Sequence, residues 1–276
     1  MPLQRHAKQC GLILHVHKPY YGPETNWRHP RFVLSMLRVG LGEGKDSVAK
    51  LFKLKAALQL VAVVAVSPGF TPASATPVKQ APAVSIAAAM LAKAQQGDAS
   101  AQAKLGLMYD DGTGVTQDYA AAAIWYRKAA EQGHSNAQNN LGSMYYNGRG
   151  VTQDYAAAAY WFRKAAEQGL SIAQYNLGYM FFNGRGVAQD YAAALSWYRK
   201  AAEQGDASAQ YNLGNMYEYG TGVAQDYVQA HKWYNLAAAD AETRDQATKN
   251  RDIVAAKMQP AQIVEAQRLA SAWRKK

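Results

Sequence analysis

Six histidines, one cysteine and a recurring set of carboxylates are the residues of this 276-residue chain that could do chemistry. Catalysis by proton transfer or nucleophilic attack needs a nucleophile, a base within hydrogen-bond reach and a group that orients the base. Cys10, His15 and His17 have no second ligand pair at any zinc-site spacing. His134 and His231 are the only histidines after residue 75, and neither has a partner at triad or metal spacing. Glu131, Glu167 and Glu203 recur once every 36 residues near a helix end, which makes a solvated ladder beside Arg127 and Lys128 rather than a carboxylate pair. The Gly-x-Gly loops (Gly112/Gly114, Gly148/Gly150, Gly184/Gly186, Gly220/Gly222) have no strand before them and no Gly-Lys-Ser/Thr after them, so they read as turns between helices and not as phosphate loops. The expectation is no catalytic residue, no cofactor and no metal.

The elements that carry these residues follow from a 36-residue period. Trp125, Trp161, Trp197 and Trp233 keep it, as do Asp118, Asp154, Asp190 and Asp226. Gly97, Gly133, Gly169 and Gly205 open four units: 97–132, 133–168, 169–204 and 205–240. The second and third units are identical at 26 of 36 positions, which rules out coincidence. Each unit reads as helix, loop, helix. In the second, helix A is expected over about Asn136–Tyr146, with Ala137, Leu141, Met144 and Tyr145 as its buried stripe. Gly142 lies in mid-helix, where glycine costs about 1 kcal/mol against alanine. A neighbouring helix too close for a side chain explains it. Asp154 is the expected N-cap of helix B, over about Tyr155–Gln168. Ala158, Trp161, Ala165 and Ala166 share one face of it, so the Trp-Tyr/Phe-Arg-Lys runs read as core Trp beside exposed cations. Gly169 ends the helix in the left-handed conformation.

One pair of such helices cannot bury its apolar face, but stacked pairs can. The fold class is therefore all-α: an α/α superhelical solenoid of four repeats with helical caps. Residues 85–96 read as an N-terminal capping helix. Residues 241–276 read as two C-terminal capping helices. The first is charged, over Glu242–Lys257. The second follows Pro260, with Ile263, Val264, Leu269 and Trp273 covering the open end.

The +10 formal charge lies mostly outside the repeats. Residues 1–75 hold ten Lys/Arg against three Asp/Glu (+7), and residues 76–276 hold twenty against seventeen (+3). A nucleic-acid binder carries its basic patch on the folded domain, so no nucleic acid is expected. Lys50, Lys53 and Lys55 precede an apolar run over 56–66 and then Ala73-Ser74-Ala75. This is the order of a secretory signal peptide, 48–75, cleaved after Ala75. Its distance from Met1 makes residues 1–47 either an unstructured extension or a mis-assigned start. Residues 76–84 read as a linker. A periplasmic or secreted protein without stable membrane insertion is expected, and a monomer.

Within regular repeats three helix A positions vary: 103/139/175/211, 107/143/179/215 and 110/146/182/218. Spacings of four and three put them on one helix face, expected to line the concave side of the solenoid. The candidate partner-binding residues are Asn139, Ser143, Tyr146, Tyr175, Tyr179, Phe182, Tyr211, Asn215 and Glu218. The adjacent Asn140, Asn176 and Asn212 add amides able to bond a peptide backbone. The alternative is that several of these rings fill space between repeats.

The order Gly133, Ala137, Leu141-Gly142, Tyr145, Gly148-x-Gly150-Val151, Asp154, Ala158, Trp161, Lys164-Ala165-Ala166 resembles Sel-1-like repeats, relatives of the tetratricopeptide group. The resemblance covers residues 97–240, and the C-terminal stretch resembles the ends of bacterial exported members. It implies an α/α scaffold that binds a protein or peptide and has no activity of its own. Cysteine-rich members have been linked to β-lactamase activity through a Cys pair in each repeat, but this chain has no Cys after residue 10. An envelope enzyme, β-lactamase-like or a cell-wall hydrolase, is the alternative, and it lacks a catalytic constellation.

Overall fold

Every unit places an aspartate directly ahead of its second helix, and in the first three units that helix is alanine-rich. The computed structural model describes residues 82–274. The helices among them are α1 (Pro82–Gln95), α2 (Ala99–Asp111), α3 (Tyr119–Glu131), α4 (Ser135–Asn147), α5 (Tyr155–Glu167) and α6 (Ser171–Asn183). They continue with α7 (Tyr191–Glu203), α8 (Ala207–Tyr219), α9 (Tyr227–Ala237), α10 (Arg244–Ala255) and α11 (Pro260–Arg274). Helices α2, α4, α6 and α8 open the four units, and α3, α5, α7 and α9 close them. Each helix packs on the next in sequence from α1 to α10, and α11 packs on α9. This is the all-α solenoid of four helix-turn-helix repeats with flanking helices. The expected extension (1–47), signal peptide (48–75) and first part of the linker lie outside the described residues. Residues 82–84 of that linker instead form the first turn of α1.

The caps are local and regular. Asp154 Oδ1 accepts from Ala157 N at 3.0 Å, and Asp118, Asp190 and Asp226 do the same in their units. At the other helix, Asp98 and Asp206 cap α2 and α8. His134 Nδ1 caps α4 by accepting from Ala137 N at 3.3 Å, a role its spacing gave no hint of.

Tight packing explains the mid-helix glycine. A Cβ on Gly142 would sit 2.8 Å from Phe162 Cδ1 of the following helix, and the other three units repeat the contact with Tyr126, Tyr198 and Tyr234. These rings are the large core residues of the second helices: Tyr126, Tyr198 and Tyr234 are 0% exposed and Phe162 4%, and of the four repeat tryptophans only Trp233, at 3%, joins them. Trp125, Trp161 and Trp197 are only half-buried. In the first three units the expected inward register is off by one residue, because the ring after Trp packs into the notch that glycine leaves; in the fourth, Trp233 is buried as well. Lys128 and Lys200 stack on Trp125 and Trp197, with Nζ 4.3 and 4.1 Å from the ring centroids. The helix A stripe holds at Ala137, Leu141 and Met144, while Tyr145 is half-buried.

Two sets of braces run between units. Gln138 Nε2 donates to Ala130 O of the preceding helix at 3.0 Å, and its Oε1 accepts from Gln168 Nε2 at 2.6 Å. Gln102 and Gln174 repeat both bonds. Gly150 makes the second contact: a Cβ there would lie 2.1 Å from Tyr119 O of the previous unit, and its φ is +66°. The loop glycine is needed both for its backbone conformation and for its lack of volume.

At the C-terminal end, Thr243 Oγ1 donates to Ala237 O at 2.6 Å and fixes the entry to α10. Trp273 of α11 meets Trp233 edge-on, with centroids 5.2 Å apart. Ala266 and Ala270 carry the buried face of α11, whereas Val264, expected to help close the end, is 65% exposed.

Candidate partner-binding face

The variable positions lie on one side of α2, α4, α6 and α8, as their spacing requires, but most of them do not form an open surface. Asn139, Tyr146, Tyr175, Phe182, Tyr211, Asn212, Asn215 and Glu218 are all buried. Asn140, Ser143, Asn176 and Tyr179 are half-buried. The expectation of one exposed aromatic surface is corrected for the buried set, whose side chains fill the seams between successive helices. Tyr175 stands 5.7 Å from Tyr198 and Tyr211 stands 5.7 Å from Tyr234, ring centre to ring centre.

Polar contacts tie the buried set together. Asn176 Nδ2 donates to Asn139 Oδ1 at 3.0 Å across the seam between α4 and α6. Arg185 donates to the Tyr146 hydroxyl and lies 5.5, 5.6 and 5.8 Å from the ring centroids of Tyr146, Tyr155 and Tyr179. Burial pushes the Tyr146 hydroxyl up to about 12, against the pull of the Arg185 cation. Tyr234 Oη has one proton for two acceptors within reach, Asn215 Oδ1 at 2.7 Å and Glu218 Oε2 at 2.8 Å, and burial raises its own hydroxyl far above the usual tyrosine range.

The fourth unit differs from the first three. There α10 and the turn after it reach the same side of α8: Asn250 Nδ2 meets Tyr211 Oη at 3.0 Å and Asn215 Oδ1 at 3.4 Å, and Lys257 Nζ, just past α10, pairs with Glu218 Oε1 at 3.1 Å. Every residue from Ser208 to Glu218 is buried. The partly open residues are confined to α2, α4 and α6: Leu107, Asn140, Ser143, Asn176 and Tyr179. The covering role of α10 was missed, and its signal was Lys257, which keeps the 36-residue register of Arg149 and Arg185.

Among the described residues, no group of three or more His, Cys, Asp or Glu could hold a metal ion. His231 is 3% exposed with Nδ1 unpartnered, enclosed in α9 rather than facing an opening. Burial lowers its pKa, helped by Arg251 of α10 and opposed by Asp252. Glu131, Glu167 and Glu203 are exposed, as expected of a solvated ladder.

Stacked helix pairs joined by seam hydrogen bonds define an α/α repeat solenoid. The Sel1 repeat model matches it four times, over residues 99–134, 135–170, 171–206 and 207–241. Those matches span just over half of the chain, and the chain belongs to the Sel1 repeat family. Among solved structures it is similar to a Sel1 repeat protein from Oxalobacter formigenes. That match has 35% identity and a TM-score of 0.52, over 60% of this chain and 76% of that one. A second similar structure is c5321, a protective antigen present in uropathogenic Escherichia coli strains and displaying an SLR fold. It is 30% identical with a TM-score of 0.44, over 70% of this chain and 56% of that one. No curated protein matches the chain.

Proposed function

We propose that this Sel1 repeat chain is a non-catalytic scaffold that binds an extended segment of a protein partner along the face of α2, α4 and α6. One observation carries the reading: amide and hydroxyl side chains at Asn140, Ser143, Asn176 and Tyr179 stay partly open there, while the matching side of α8 is reached by α10. Repeated amides satisfy the alternating donors and acceptors of a peptide backbone. A half-buried tyrosine contributes contact area at small cost in side-chain entropy. The chain acts as a monomer in the periplasm or outside the cell, after cleavage following Ala75.

A photo-crosslinking residue at position 179 tests the first part. The partner it captures should be retained by the wild type and lost from an Asn140→Ala/Asn176→Ala/Tyr179→Ala variant of unchanged melting temperature. Retention by that variant, or equal loss on changing the exposed Tyr160 of α5, overturns the placement. N-terminal sequencing of fractionated protein tests export: a mature chain beginning at Thr76 supports it, and an uncleaved cytoplasmic chain rejects it.

A further inference from the structure

The glutamine brace between units is complete at three of its four positions. Gln102, Gln138 and Gln174 each donate from Nε2 to the preceding helix and accept at Oε1 from Gln132, Gln168 and Gln204, thirty residues on. Gln210 keeps the first bond, Nε2 to Ala202 O at 3.2 Å. Thirty residues on stands Asp240, which has no side-chain N–H to give. Its Oδ1 turns to the backbone N–H groups of Glu242 (2.9 Å) and Thr243 (3.3 Å). Gln210 is 6% exposed, and no described residue donates to its Oε1.

A cavity of about 420 Å³ stands where the fourth brace is missing. Gln210 and Asp240 line it together with Glu203, Leu236 and Trp273. Trp273 comes from α11, which lies outside the repeats. Lys232 Nζ lies 4.7 Å from the Trp273 centroid, but Lys232 does not line the cavity.

The polar side chains named here supply acceptors: the amide oxygen of a buried glutamine that lines the cavity, and two carboxylates beside an indole. The group that satisfies such walls is planar, cationic and rich in N–H. A guanidinium offers five donors in one plane, pairs with a carboxylate at two points and stacks on an aromatic ring. An ammonium offers three donors and no plane to stack. We propose that this cavity at the C-terminal end of the array takes an arginine side chain of a partner protein. The site is separate from the face of α2, α4 and α6 and extends recognition beyond it.

The probe is the peptide acetyl-Gly-Gly-Arg-Gly-Gly-amide, titrated into the full chain. The readout is the NMR resonance of the Trp273 indole N–H, assigned with Trp273→Phe. A saturable shift is expected. The same peptide with citrulline, planar but uncharged, should give none. Asp240→Gln supplies the missing donor to Gln210 and removes a carboxylate, so it should abolish the shift; it also gives up the bonds from Glu242 and Thr243 N–H, so its folding is checked by the unchanged dispersion of the remaining indole N–H resonances. Glu203→Gln, an exposed position, should weaken binding about three- to fivefold. No arginine-dependent shift, equal binding of the citrulline peptide, or full binding by Asp240→Gln overturns the assignment. The Asn140/Asn176/Tyr179 variant should titrate like the wild type, so failure of the groove reading and failure of this one are told apart.

Discussion

Arg149 Nη2 lies 2.5 Å from Asp110 Oδ1 and clasps the loop of the second unit to the first helix of the unit before it. The two residues are 39 apart, and the same interval joins Arg185 to Tyr146 and Lys257 to Glu218. Between the third and fourth units the same interval separates Phe182 from Thr221, neither of which carries a charge. Each of the three clasps sets an acid or a phenol against a cation.

The Asp110–Arg149 clasp should be asymmetric. The Asp110 side chain is 7% exposed and that of Arg149 39%. Burial raises the Asp110 carboxyl pKa by more than Arg149 lowers it. Arg149→Leu strands a buried carboxylate and should cost about 2–3 kcal/mol. Asp110→Asn leaves a half-exposed cation in water and should cost about 1 kcal/mol. Urea unfolding of both singles and the double variant measures the difference. Equal costs would mean that Asp110 is hydrated in solution.

Two glycines should differ in the same direction. Gly142→Ala brings a methyl group against Phe162, and overpacking of that kind costs about 1–3 kcal/mol. Phe162→Leu in the same chain should recover part of it. Gly150→Ala meets the backbone of Tyr119 at a positive φ, and no side chain can move aside. It should destabilise more, with no rescue by substitutions around it. Thermal melting orders the two.

Acid should loosen the array through its two repeat histidines. Burial lowers the pKa of both His134 and His231 below the ordinary 6.5. The unfolded chain then binds more protons than the folded one below that pH, so stability is full above 6.5 and falls as pH drops through it. His134 also loses its cap, because a protonated Nδ1 cannot accept from Ala137 N. His134→Asn/His231→Gln should flatten the decline of unfolding free energy over this window. An unchanged slope would assign the decline to other groups.

The ladder should be additive in units of one hydrogen bond. Gln168→Ala removes the donor to Gln138 Oε1 and should cost about 1 kcal/mol, with Gln132→Ala and Gln204→Ala alike. Denaturant midpoints of the three singles and the triple variant check this.

Much of the fold was legible because each unit repeats its punctuation. Asp154, Gly142 and Gly169 act as their positions indicate, as N-cap, close-contact glycine and left-handed terminator. The core aromatic was misplaced by one residue. Trp161 and Phe162 are adjacent on the helix, and only the glycine opposite selects Phe162 for the notch. The candidate face was half legible. Spacing put Tyr179 and Asn215 in one register of their helices, but helix periodicity carries no information on how closely a neighbouring helix approaches. The helix beyond the last unit buries Asn215, while Tyr179 stays partly open. Gln102, Gln138 and Gln174 recur every 36 residues, but recurrence alone does not say which atoms an amide meets, and their braces are seen only in the structure.

The 39-residue clasps also act as addresses. The second and third units are so alike that apolar packing alone would let one stand in for the other, in a shifted register or from a second chain. The clasps forbid most such exchanges. Setting Asp110 against Thr221 would leave a buried carboxylate with no cation, and setting Phe182 against Arg185 would leave a guanidinium with no oxygen. The order of near-identical units is thus written in part in three clasps, and in the Phe182–Thr221 interval, which offers neither an acid nor a cation.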